Sequence, residues 1–278
     1  MQVRTAVATA MSKVRPLLSP SPRKRGPRSA ASVVEQKADF RRRGNRRTEN
    51  CNLETAALYR LMIWLSPAYP VGAFAYSSGI EWAVESGDID DTSTLRRWLE
   101  AVLSAGTGVS DGIFFAQTYR AIDRGDAAGF VEIAELAAAL VATRERHQET
   151  TALGRTFIEV TRAAWPCTAF DTMQRLWAGP IAYPVAVGAA CAGHAIPLAP
   201  ALHAFLIAVT SGWISAGVRL IPLGHTESQR LMKALEPAVA ATAQRALSAS
   251  LDDVGSATFR ADLASVRHET QYTRLFRS

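Results

Sequence analysis

Between Leu176 and Val218 the chain carries no Lys, Arg, Asp or Glu, and Pro180, Pro184, Pro197 and Pro200 divide that run. A stretch apolar on every side must be enclosed, either by lipid or by other helices. Tyr183 to Ile196 is too short to span a bilayer, and His194 and His203 interrupt the run. Ala201 to Leu220 is long enough, but Thr210, Ser211 and Ser215 dilute it and flanking basic residues are sparse. The reading adopted is a pair of buried core helices, with a helical membrane-associated protein as the competing class.

Enclosing such helices requires amphipathic partners, and the remaining sequence supplies them. Leu58, Leu61, Met62 and Leu65 fall at helical spacing before Ser66-Pro67 ends the segment. Asp91-Thr92-Ser93 offers caps for a helix with Leu95, Trp98, Leu99 and Val102 inward. GTGVSDG then reads as a linker before a helix running to Gly125. Asp126 opens another with Phe130, Ile133, Ala134 and Ala137. TRERHQETTALGRTFIEVTRAAW predicts a long helix, charged at Arg144, Glu145, Arg146 and Glu149, with Leu153, Phe157, Val160 and Ala164 inward. Pro222 and Gly224 break the chain, and Thr226 is expected to cap a last long helix through Leu231, Leu235, Val239 and Leu247, bent at Pro237. No run alternates with period two, so the fold class is all-α, a bundle of roughly ten helices over residues 53–278.

The net charge of +6 does not describe that bundle. Met1 to Asn50 holds 13 Lys and Arg against 3 Asp and Glu, a balance of +10, leaving 18 against 22, or −4, for the remainder. A mildly acidic body is not one that tracks nucleic acid. Residues 1–52 are expected to be a disordered basic extension. It is open whether they are targeting-like, a basic arm, or a dispensable product of an upstream start. Cys51, Cys167 and Cys191 are odd in number and form no CxxC pair, which fits a reducing compartment and no disulfide framework.

Motifs for catalysis are scarce. There is no GxxxxGK[ST], HExxH or GxSxG, and GTGVSDG follows a helix where a dinucleotide fingerprint follows a strand. Cys191 and His194 have the spacing of two metal ligands on one helix face, but two ligands do not make a site. No enzyme and no cofactor are expected; a metal-dependent enzyme using that pair is a further alternative. Aromatic and arginine residues in loops are more informative. Tyr69, Phe74 and Tyr76 lie in SPAYPVGAFAYSSG, where Ser77 or Ser78 is expected to cap a helix and Glu81 to close a capping box. Tyr272, Arg274, Leu275, Phe276, Arg277 and Ser278 lie in the closing segment, too short to bury its own rings. Such residues either lock helix ends together or anchor a partner; for the closing segment the partner is the reading taken.

LSPAYPVGAFAYSSGIEWAVESG resembles the signature of the urease accessory protein F family, UreF, usually LxSPxLPVGxFxYSxGLE. RLIPLGHTESQR and the closing HETQYTRLFRS are similar to two further blocks of that family, in the same order. Tyr69, Ile80 and His225 depart from its usual residues, and the first fifty residues lie outside the likeness. The resemblance implies an all-helical, cytoplasmic, non-catalytic scaffold that tends to dimerise. It implies that such a protein binds accessory protein D (UreD, or UreH) and the GTPase UreG and serves nickel insertion into apo-urease, as a chaperone of urease maturation. By motif it points to Tyr69, Phe74, Tyr76, Glu81, Arg219, Gly224, His225, Tyr272, Arg274, Leu275, Phe276, Arg277 and Ser278 as partner-binding residues.

Overall fold

The computed structural model describes residues 54–278; the expectations for the basic extension fall outside the described residues. The predicted all-α bundle of roughly ten helices is what the structure shows, and no strand occurs among the described residues. The helices are α1 (54–64), α2 (Ile80–Glu85), α3 (Thr92–Ala105), α4 (Thr107–Arg124), α5 (Ala127–Ala139), α6 (Arg144–Ala164), α7 (Thr168–Leu176), α8 (Tyr183–Gly193), α9 (Leu198–Leu220), α10 (His225–Ser248) and α11 (Phe259–His268).

The uncharged run becomes α8 and α9. Every residue from Pro184 to Cys191 is buried, and α8 lies between α4 and α6. Glycines permit that approach: a Cβ on Gly188 would stand 2.7 Å from the Phe115 carbonyl oxygen, and one on Gly154 would stand 2.1 Å from that of Ile181. Gly154→Ala must therefore push α6 away from the α7–α8 connection. We expect a loss of about 1–3 kcal/mol, read in urea melts. Trp64, Phe157, Tyr183, Phe205 and Phe115 form a chain of rings with centroids 5.2–6.1 Å apart, tying α1, α6, α8, α9 and α4 into one core. Among the described residues only α9 is long and apolar enough to cross a membrane, and half of its most apolar window is buried inside the bundle.

Several local expectations fail for identifiable reasons. In α1 the buried face is Ala57, Leu61 and Trp64, while Leu58 and Met62 are exposed, at 58% and 69%. Both faces of α1 are apolar, and the indole of Trp64, lodged against Phe157, Trp165 and His194, decides which turns inward. GTGVSDG is no linker: only Gly106 breaks the chain, and the rest is the start of α4. Gly112 lies where a Cβ would come within 2.9 Å of Ala246, so its role is helix contact. Ala164 is exposed and Val160 half-buried, whereas Glu145 and Glu149 are buried. Thr226 caps nothing; the backbone of Gly224 precedes α10, which runs through Pro237.

Candidate functional site

The buried carboxylates of α6 mark the polar centre of the molecule, where the last residues of the chain are fastened. Glu81 of α2 accepts from the backbone N–H of Leu275 (2.6 Å) and of Phe276 (2.9 Å). The next backbone N–H, of Arg277, donates to the Ala75 carbonyl (2.9 Å), and the Ser278 carbonyl accepts from the Ser77 N–H (2.9 Å) and hydroxyl. Four consecutive residues thus have a main-chain group bound to the segment Ala75–Glu81. The expected capping box is only half present: the Ser77 hydroxyl accepts from the Glu81 N–H (3.3 Å), but the Glu81 side chain is turned toward the tail, and α2 starts from Gly79 in the left-handed region.

Glu81 also accepts from His268 Nε2 (3.1 Å), while His268 Nδ1 faces Glu145 (2.6 Å) and Arg274 pairs with the other Glu145 oxygen (2.6 Å). Glu149 accepts from the hydroxyls of Ser278 and Ser78 and pairs with Arg146. Both ring nitrogens of His268 face carboxylate oxygens, and Arg274 and Arg146 pair with Glu145 and Glu149. Buried charges are tolerated only when so matched. Glu269 contributes from the same turn, accepting from the N–H groups of Arg144 and Glu145 at the start of α6.

The Ser77-Ser78-Gly79 string has a separate reason at each position. Ser77 binds the chain terminus. Ser78, at φ 58, is a non-glycine residue in the left-handed region. Its hydroxyl donates to Glu149 and accepts from Arg146 (2.7 Å) and the Trp213 indole (3.1 Å). Gly79, at φ 83, leaves room for α11: a Cβ would meet the Ser265 backbone at 3.0 Å.

The motif residues separate into inner and outer sets. Tyr69 is buried, its hydroxyl 2.8 Å from that of Thr161 and its ring against Phe157 and Trp165. Phe276 is buried under the Arg219 guanidinium, 4.1 Å from its ring centroid, and Ser278 is 1% exposed. Tyr76 is half-buried and Glu81 buried. Outward lie Phe74 (73% exposed), Tyr272, Leu275 (65%), Arg277, Arg219, Gly224 and His225. Sequence reasoning missed Glu145, Arg146 and Glu149, whose charges read as a solvated face. It also missed the stripe Phe259, Leu263 and Val266, which α11 leaves on the surface. Their i, i+4, i+7 spacing was a usable signal.

Beside Ser78 and Arg146 a cleft of about 180 Å³ opens between the α5–α6 and α10–α11 connections. Asp111 of α4 lines it, and burial, the largest influence, pushes its carboxyl up to about 7, with Glu149 adding to the rise and Arg146 opposing it. A raised folded value means stability present below the unfolded value and lost as pH rises through the folded one. Asp111→Asn is therefore expected to raise the melting temperature at about pH 8 and to change it little at about pH 4.

Among the described residues no three of His, Cys, Asp and Glu gather as a metal would require. Cys191 is fully buried, its thiol pushed up by that burial, and His194 Nε2 donates to the Trp165 carbonyl (3.0 Å).

The sequence model of the UreF family matches residues 89–236. A protein of Rhodopseudomonas palustris (strain HaA2) named urease accessory protein UreF is 64% identical over 223 residues, 80% of this chain and 94% of its own length. One of the same name from Bradyrhizobium diazoefficiens (strain JCM 10833 / BCRC 13528 / IAM 13628 / NBRC 14792 / USDA 110) is 64% identical over 225 residues, 81% and 93% of the two chains. Another, from Bradyrhizobium sp. (strain BTAi1 / ATCC BAA-1182), is 62% identical over 226 residues, 81% and 94%.

Proposed function

Because this chain belongs to the UreF family of urease accessory proteins, we propose that it serves urease maturation as a non-enzymatic scaffold. In this proposal it bridges accessory protein D (UreD, or UreH) and the GTPase UreG, so that nickel is inserted into apo-urease. It works in the cytoplasm as a homodimer, needs no cofactor of its own, and binds neither nucleic acid nor membrane. Residues 53–278 carry this role and residues 1–52 are dispensable. The observation that carries the reading is the 64% identity to a urease accessory protein over nearly that protein's whole length.

The geometry supports a partner surface around the fastened tail. Phe74 and Leu275 lie outward from two segments joined by the Arg277–Ala75 backbone bond, with Arg277 exposed on the second of them and Arg219 of α9 exposed over Phe276. Large apolar groups rimmed by arginine suit a protein–protein hot spot. Tyr272, Gly224 and His225 are assigned to the rim of that surface. Tyr69, Tyr76, Glu81, Phe276 and Ser278 hold its shape from within, and Arg274, itself exposed, ties the closing segment to Glu145.

Co-expression of the full chain with accessory proteins D and G, followed by pulldown and a nickel-dependent urease activation assay, tests the proposal. A complex that restores activity supports it, and the same result with residues 53–278 supports the dispensability of the extension. Failure of the full chain to join either protein refutes the bridging role.

A further inference from the structure

The cleft beside Asp111 has a chemistry that the scaffold reading does not use. Its walls are apolar, from Trp98, Leu99, Val102, Phe114 and Leu140, and its polar end is formed by Asp111, Arg146 and Asp262. Among the described residues no donor is hydrogen-bonded to the Asp111 carboxylate. The one cation at that end, Arg146, is already bonded to Glu149 and Ser78. Asp111 is half-buried at the cleft wall, so its carboxylate faces the cleft with no protein donor, and a ligand entering there can supply one.

The charges facing this end come from three helices: Asp111 on α4, Arg146 and Glu149 on α6, and Asp262 on α11. With all of them ionised, three carboxylates surround one guanidinium, so the end repels anions and attracts a cation. Among the described residues, one oxygen of Asp262 accepts from the Ser256 hydroxyl (3.0 Å). Trp98 and Trp213 line the same space. The volume, about 180 Å³, suits a short methylene chain with a charged head.

We propose that this cleft is a binding site for an alkylammonium or alkylguanidinium group, with Asp111 as its counter-ion and the α3, α4 and α5 side chains covering its methylenes. The group is either the end of a basic side chain presented by a partner protein or a free small amine. Docking of the cation replaces the missing hydrogen-bond donor and holds Asp111 ionised. Binding therefore strengthens as pH rises from about 6 to about 8.

Butylguanidinium chloride and n-butylammonium chloride are the probes, with butylurea as a neutral control of the same length. The full chain is titrated with each while its indole ¹H–¹⁵N resonances are followed. Saturable binding of both cations, shifts at Trp98 and Trp213, and affinity lowered more than about tenfold by Asp111→Asn are expected. Equal binding of butylurea would reduce the cleft to an apolar cavity and overturn the proposal, as would undiminished binding by Asp111→Asn or no binding at all. Should Asp111→Asn fail to fold, the comparison of butylguanidinium with butylurea on the unmodified chain decides alone. Adding the accessory proteins to the probe-loaded chain separates the two sources. Displacement assigns the cation to a partner's side chain, retention assigns it to a free amine, and either supports the site.

Discussion

Glu81→Ala is expected to release the last residues of the chain while the helices remain folded. One buried carboxylate there accepts from two consecutive backbone N–H groups and from His268. Its removal strands both N–H groups and leaves His268 with a carboxylate on one side only. Deleting one member of a buried charged network costs about 3–5 kcal/mol. That exceeds what Phe276, the only large apolar side chain the tail buries, recovers at about 1.5–3 kcal/mol. The balance therefore tips toward detachment. Trypsin should then cut at Arg274 far faster than in the unmodified chain, with far-UV circular dichroism nearly unchanged, and capture of accessory protein D should fall. Glu81→Gln should lie between, because an amide oxygen can accept one of the two N–H bonds but its NH₂ cannot accept the other. An unchanged cleavage rate for Glu81→Ala would show that the tail is held mainly by the Ser77–Ser278 bonds and Phe276.

The same residue shows how far the sequence could be read. Ser77, Ser78 and Glu81 have the spacing of a capping box, a local rule satisfied by four residues. Ser77 keeps one local bond, from the Glu81 N–H, but the three side chains otherwise go to partners 68 to 201 positions away. Local spacing cannot reveal this, because the competing acceptors and donors arrive only when the chain closes. Glu145 and Glu149 misled in the same way. On a helix with Arg144 and Arg146 they read as a solvated face, and only the arrival of His268, Arg274 and Ser278 makes their burial tolerable. What local chemistry alone determines was legible: Asp91 and Asp126 cap α3 and α5, and Leu95, Leu99, Phe130 and Ile133 are inward. The uncharged run was legible too, since α8 has no polar side to misplace. The phase of α1 was not, because two apolar faces compete and only Trp64's neighbours choose between them.

This arrangement also bears on how the tail should behave. Its main-chain groups are bound, yet Tyr272 and Leu275 remain in solvent, so most of its apolar area contributes nothing to holding it. A segment fastened by polar bonds at the edge of a fold is drawn from the low end of local stability. A partner that covered Leu275 and Phe74 would add the missing apolar term and stabilise tail and complex together. Removing Leu275 to Ser278 altogether is consequently a poor test of binding. It would also empty the Phe276 socket and take from Glu81 and Glu149 the donors the tail supplies, leaving His268 beside the first and Ser78 and Arg146 beside the second.

Point substitutions separate the two roles, and the double variant Phe74→Ala with Leu275→Ala gives the larger effect on binding. Both side chains are mostly in solvent, at 73% and 65% exposure, so neither supports the fold, and the melting temperature should stay within the small range of surface changes. Each offers what a hot spot requires, and truncating such an anchor costs about 2 kcal/mol or more. Loss of both should weaken capture of accessory protein D by more than about a hundredfold, given that about 1.4 kcal/mol is tenfold. Phe276→Ala provides the contrast: its ring is 4% exposed beneath Arg219, so it should lose about 1.5–3 kcal/mol of the tail's attachment, and binding only as a consequence. Titration calorimetry and thermal melts on the same three proteins read both quantities. A double variant that binds normally would move the partner surface away from the tail, to the exposed faces of α1 at Leu58, Tyr59 and Met62 or of α11 at Phe259, Leu263 and Val266. One that melts early would mean that these side chains pack within the molecule.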